Sequence, residues 1–133
     1  MHRLEEDEVL AVAYQIKLYG DCFQPGHPGH AKTEDFIWYF VDCMPVADIA
    51  LGRTEDWAGW MQKEMARAAN EGVPDRYRLF LESNPDGWDP VVVVEGRDGR
   101  FYVWVGHHRV GAAVIRTIRT IEAVVGVRKP IGA

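Results

Sequence analysis

The chain has few thiols, little positive charge and no long apolar run. Only two of its 133 residues are cysteine, Cys22 and Cys43. Glu5-Glu6-Asp7-Glu8 stand where a secretory leader would be basic and then apolar, so reduced thiols and a cytoplasmic location are expected. No apolar stretch approaches membrane-spanning length, and no membrane partner is expected. The net charge of −5 argues against a protein that coats DNA nonspecifically, because such binding rests on neutralising phosphates with Lys and Arg. Repeats and low-complexity stretches are missing as well. Cys43 sits in an apolar run and reads as a small core residue. Cys22 lies beside a loop with nothing adjacent to lower its pKa.

What the chain does have suits one soluble globular domain spanning residues 1–133, with 47% hydrophobic and 26% charged residues. The cations are unevenly placed. Residues 91–133 hold Arg97, Arg100, Arg109, Arg116, Arg119, Arg128 and Lys129 against only Glu95, Asp98 and Glu122. That asymmetry fits an anionic ligand at the C-terminal half, and fits equally well arginines lining a solvated helix and tail.

Along the chain, residues 4–19 read as a helix with acids at its start, although Val9 to Tyr14 would also suit a strand. Asp21 to Thr33, with Pro25, Gly26, Pro28 and Gly29, reads as a long loop. Phe36 to Val41 reads as a buried strand or a short helix. Asp56 to Glu71 carries Trp57, Trp60, Met61, Glu64, Met65 and Ala68 at helical spacing, with Thr54 or Asp56 as cap and Gly72 as stop. Tyr77 to Glu82 suits a short helix, and Ser83 to Gly87 a turn. Val91–Val105 reads as two strands joined at Asp98-Gly99, a strong hairpin signal. Gly106-His107-His108-Arg109 then leads into a helix, followed by a strand from Thr120 to Val127.

A glycine followed by polar and cationic residues between a strand and a helix is a natural anion site. The first N–H groups of the helix point outward, and its dipole favours negative charge. Arg109 adds a guanidinium fork suited to phosphate. The candidate ligand-binding residues are therefore Gly106, His107, His108, Arg109 and Val110. His107 and His108 are the candidates for acid–base catalysis or for orienting water near neutral pH. Gly111 is unfavourable inside a helix by about 1 kcal/mol against Ala, so something should approach it closely, either a strand or the ligand.

The pattern of hairpin, Gly106-His107-His108-Arg109, a helix with Ala112 and Ala113, and a closing strand resembles the ParB/sulfiredoxin-like superfamily. The resemblance covers about residues 44–127, with 1–43 as an N-terminal extension carrying the Pro/Gly/His loop. Pro45 to Ile49 resembles the family's first strand, Glu55 to Asn70 its first helix, and Asp89-Pro90-Val91 the entry to its hairpin. The fold this implies is α+β, a small mixed sheet with packed helices. Sulfiredoxins place a catalytic cysteine where this chain has His107, so their sulfur chemistry has no nucleophile here. Chromosome-partitioning ParB proteins carry Gly-Glu-Arg-Arg at the loop, a downstream Glu-Asn-x-x-Arg segment and a helix-turn-helix domain, none of which occurs in these 133 residues.

The resemblance implies a nucleotide- or phosphate-binding domain of plasmid, phage or bacterial origin, acting as an NTPase or a ParB-like nuclease with Mg²⁺ carried on the nucleotide. A noncatalytic partner-binding or DNA-associated accessory module would use the same pocket. It also makes Glu55, Asp56 and Glu64 candidates for sugar, base or Mg²⁺ contacts, against the plain reading of a solvated helix face. Trp57 and Trp60 read as core, although Trp57, Trp60, Trp88 and Trp104 are all able to stack on a base. His27 and His30 flank Pro28-Gly29 at a spacing two metal ligands can share. No tetrahedral set completes them, so no metal site is expected.

Overall fold

A computed structural model describes residues 1–20, 32–52 and 55–130. The apolar run Val91–Val94 forms the centre of the molecule. It is strand β4 (Val91–Glu95), and its four valines are at most 1% exposed. An unbroken apolar run is what a strand covered on both faces requires. Around it lie β1 (His2–Arg3), β2 (Phe36–Pro45), β3 (Ile49–Ala50), β5 (Phe101–Val105) and β6 (Thr120–Arg128). They make one six-stranded sheet in the order β1-β2-β6-β4-β5-β3. The β4–β6 and β3–β5 pairs are parallel and the others antiparallel, so the sheet is mixed. The Asp98-Gly99 hairpin forms as read. Gly99 has φ +81°, and Arg100 N–H donates to Asp98 Oδ1 at 3.0 Å.

Four helices lie among the described residues: α1 (Glu6–Tyr19) and α4 (His107–Ile115), which pack against the sheet, and α2 (Trp57–Glu71) and α3 (Arg76–Glu82), which pack against α4. Strand alternation divides the core. Val92 and Val94 join Val12 of α1, Phe36, Trp38, Trp104 and Val105 on one face. Val91 and Val93 join Val103, Val110, Ala113, Ala123 and Val125 on the other. A third cluster, Leu51, Trp60, Met61 and Tyr77, knits α2 to α3. The α+β architecture and its small mixed sheet agree with the reading of the sequence.

Three local expectations change. Cys43 is exposed, not core. The β2–β6 register shifts between Val41 and Met44, and this irregularity leaves both Asp42 and Cys43 facing outward. Pro45 to Ile49 is not one strand. Val46–Asp48 form a 3₁₀ turn, with Val46 N–H bonded to Arg119 O at 2.9 Å. The turn leads the chain from β2 to the opposite edge of the sheet, where only Ile49 and Ala50 pair. Finally, β2 runs across the 43/44 division and pairs along most of its length with β6, so residues 36–43 are integral to the sheet.

Candidate functional site

The loop before α4 needs glycine at position 106 for two reasons. Its φ is +107°, and a Cβ there would lie 2.6 Å from Val91 Cγ1. No side chain caps the helix start. The helix thus opens as the sequence suggests, but its residues diverge. Val110 is fully buried and its N–H is bonded to Gly106 O at 3.0 Å. Val110 is therefore core, and its amide is taken by the helix itself.

His107 is 7% exposed, with its ring 5.5 Å from that of Trp60. It faces the aromatic packing between α2 and α4. His108 is half-buried, its ring 4.4 Å from Tyr77 and 6.0 Å from Trp60. It borders a cleft of about 290 Å³ together with Glu64, Arg67, Asp75, Arg76 and Tyr77. Burial, reinforced by the positive charge of Arg76, holds the His108 imidazole below its ordinary pKa, with Glu64 and Asp75 opposing. His108 is therefore mainly neutral at pH 7, able to accept a hydrogen bond at one ring nitrogen and donate at the other.

Arg109 is not the exposed fork read from the sequence. Its guanidinium is half-buried, and Nη1 donates to Asp89 O and, at 3.2 Å, to Pro90 O. Burial pulls its pKa down, and Asp89 partly offsets this. The long side chain of Arg109, on the next helix, thus supplies a cationic donor to the carbonyls that enter β4. Two other C-terminal arginines are likewise turned inward. Arg116 Nη1 bonds Phe80 O at 2.9 Å and Ser83 O at 2.7 Å, with its guanidinium over Trp88. Arg128 lies 5.4 Å over the Phe36 ring. Three of the seven cations in the C-terminal third are thus turned inward, whereas Arg97, Arg100, Arg119 and Lys129 are exposed.

The other candidates fall into structural places. Asp56 caps α2, its carboxylate accepting from Gly59 N–H at 2.8 Å. Glu64 pairs with Arg67 at 2.7 Å, and Arg67 also reaches Glu71 at 3.2 Å. Trp57 Nε1 donates to Ile49 O at 3.2 Å and Trp88 Nε1 to Ser83 Oγ at 2.8 Å. Trp60 and Trp104 are buried. Thr54, His27, His30 and Cys22 lie outside the described residues. Among the described residues no group of three metal-capable side chains converges, and no helix is long and apolar enough to cross a membrane.

Tyr77 escaped the sequence reading. It is 1% exposed, and its hydroxyl has no hydrogen-bond partner among the described residues. Burial, and then the Glu64 charge, drives its pKa far upward, so it is a neutral phenol. Its ring explains Gly111: a Cβ there would lie 2.8 Å from Tyr77 Cε1 and 3.0 Å from Met61 Cγ. The close approach expected at Gly111 comes from side chains of α2 and α3, not from a strand or a ligand. A larger cavity of about 490 Å³ carries Asp42, Asp86, Asp89 and Glu122. Four carboxylates disfavour any phosphate there.

No protein-family model matches the chain, and no characterised protein sequence does either. Among solved structures it is similar to sulfiredoxin from Arabidopsis thaliana, at 22% identity over 69% of this chain and 86% of that one, with a TM-score of 0.34.

Proposed function

We propose that this chain is a nucleotide- or phosphate-binding domain, with the ligand seated at the start of α4 and in the cleft beside His108. The observation that carries the reading is the position of His108. It is the second residue of a helix that lacks a side-chain cap, and its ring borders a cleft shared with Arg67 and Arg76. Helix-start amides, a neutral imidazole and two guanidinium groups are a donor set suited to phosphate oxygens. Mg²⁺ would enter on the nucleotide, held by its phosphates and water.

If the bound phosphate is hydrolysed, His108 is the residue to take a proton from attacking water, because its lowered pKa keeps the imidazole unprotonated at neutral pH. His107, packed on Trp60, positions the loop instead. Arg109 holds the Asp89–Pro90 carbonyls and so fixes the entry to β4. A second reading is a noncatalytic binding module, and the engagement of Arg67 with Glu64 and Glu71 favours it: its charge is already partly matched before any ligand arrives.

Isothermal titration with ATP, ADP, CTP, GTP and inorganic phosphate, with and without Mg²⁺, tests the first statement. Affinity lost in His108→Ala and Arg76→Ala is expected. No binding at millimolar concentration removes the nucleotide reading. Phosphate release measured on any nucleotide that binds separates an NTPase from a binding module.

A further inference from the structure

Helix α1 is apolar on two opposite sides. Its inner side sets buried Val12, with Val9 and Ile16, against the sheet. Its outer side presents Leu10, Tyr14 and Leu18, which are 66%, 65% and 51% exposed. These three residues lie one turn apart, so they form a continuous stripe. Single exposed apolar residues need no explanation, but a stripe opposite the buried face of a surface helix does. Charge frames it. Glu6, Asp7 and Glu8 stand in the first turn and Lys17 in the last.

We propose that this face pairs with the same face of a second copy, the two α1 helices antiparallel about a two-fold axis. The charges decide the direction. Asp7 continues the stripe one turn before Leu10 and Lys17 lies at its edge, ten residues apart and about 15 Å along the helix. When Leu10 of one copy packs level with Tyr14 of the other, Asp7 of each falls level with Lys17 of the other. The two apolar contacts and the two ion pairs therefore share one register. A parallel arrangement would place the two acidic first turns together. The antiparallel one separates them and also opposes the helix dipoles.

The size is consistent with a weak, specific pair. The exposed parts of two leucines and a tyrosine, with their neighbours, come to roughly 400–500 Å² per copy, near the ~1,000 Å² total at which specific interfaces begin. The net charge of −5 on each copy opposes association and the two Asp7–Lys17 pairs favour it, and added salt screens both.

Sedimentation equilibrium on the full chain from ~5 µM to ~1 mM, at two salt concentrations, tests this. A monomer–dimer equilibrium is expected, weakened at least tenfold by Leu10→Glu, a change at an exposed position that leaves the circular dichroism melt unaltered. Asp7→Lys and Lys17→Asp should each weaken the dimer, and the double swap should restore it. A monomer throughout the range overturns the proposal. So does a dimer indifferent to Leu10→Glu, or a pair of swaps that fail to restore one another. A monomer that instead partitions onto phosphatidylcholine vesicles through the same residues also overturns it, by giving the face to a lipid surface.

Discussion

Replacing Gly111 by alanine sets two effects of known size against each other. In the middle of a helix, alanine is favoured over glycine by about 1 kcal/mol. At Gly111 the added methyl carbon would lie 2.8 Å from Tyr77 Cε1, 3.0 Å from Met61 Cγ and 3.1 Å from Met61 Sδ. Met61 is unbranched and can swing aside at small cost. The Tyr77 ring cannot. It is 1% exposed, with Trp60 edge-on at 5.6 Å and His108 at 4.4 Å. Overpacking against a held ring costs about 1–3 kcal/mol. The clash should outweigh the helix gain, and Gly111→Ala should lose roughly 1 kcal/mol, a fall in Tm of about 3–6 °C for a domain of this size. Gly87→Ala is the control. No atom lies within 4 Å of its Cβ position and its φ is not positive, so it should be neutral or slightly stabilising. Thermal and urea melts of both variants decide the matter. If Gly111→Ala proves as stable as Gly87→Ala, the Tyr77 ring is free to move and the packing argument fails. The same displacement would shift His108, so affinity for any phosphate ligand of the proposed site should fall along with stability.

Four further outcomes are expected. Tyr77→Phe should raise stability by about 1 kcal/mol in urea melts, because it removes a buried hydroxyl that has no partner among the described residues; a loss would mean that water or another group satisfies it. Arg109→Ala should cost about 2 kcal/mol, since it strips the donor from the Asp89 and Pro90 carbonyls; an unchanged melt would return Arg109 to the role of a free anion fork. In a Cys22→Ser background, native Cys43 should react with a disulfide reagent nearly as fast as in denaturant, because it is exposed on the irregular stretch of β2; protection would refute that register. Acidification should destabilise the fold through His108. Its folded pKa lies below the unfolded value near 6.5, so the unfolded chain binds the extra proton, and stability declines as pH falls from about 6.5 toward the folded pKa. His108→Gln should flatten the profile in that window.

Most elements were legible because their signals are local. The hairpin needed only Asp98-Gly99 between apolar runs, and α2 needed only its aromatic stripe with Asp56 and Gly72 at the ends. The misplacements arise where a distant partner decides. Cys43 sits in a run that looks uniformly buried, yet the pairing of β2 with β6 slips there and turns it outward. Pro45 to Ile49 is extended in character, but β2 is already paired up to Pro45 and β3 lies at the far edge, so a turn has to intervene. At the site, Gly106 was readable from its place between strand and helix. The directions of His107, His108 and Arg109 were not. Adjacent helical positions differ by about 100°, and which faces inward depends on Trp60, Tyr77 and the Asp89 carbonyl, residues 20 or more positions away.

If the proposed phosphate ligand binds, that geometry sets what it must do on arrival. Of the cations expected to meet an anion, Arg109 and Arg116 hold backbone carbonyls and Arg128 lies on an aromatic ring. Arg67 and Arg76 are the ones that border the His108 cleft, and Arg67 is shared between Glu64 and Glu71. A phosphate at His108 would compete with those carboxylates for one guanidinium. The exchange is cheap, because exposed ion pairs on a helix contribute little, whereas a charge-assisted bond to phosphate beside a half-buried imidazole is stronger. Glu64 would remain at the rim, so under the proposed function the cleft would favour a ligand that brings its own cation or presents a hydroxyl or amine to that carboxylate. A nucleotide with its Mg²⁺ would meet that requirement better than bare phosphate, and if the proposed site binds both, Glu64→Gln should narrow the difference in affinity between the two.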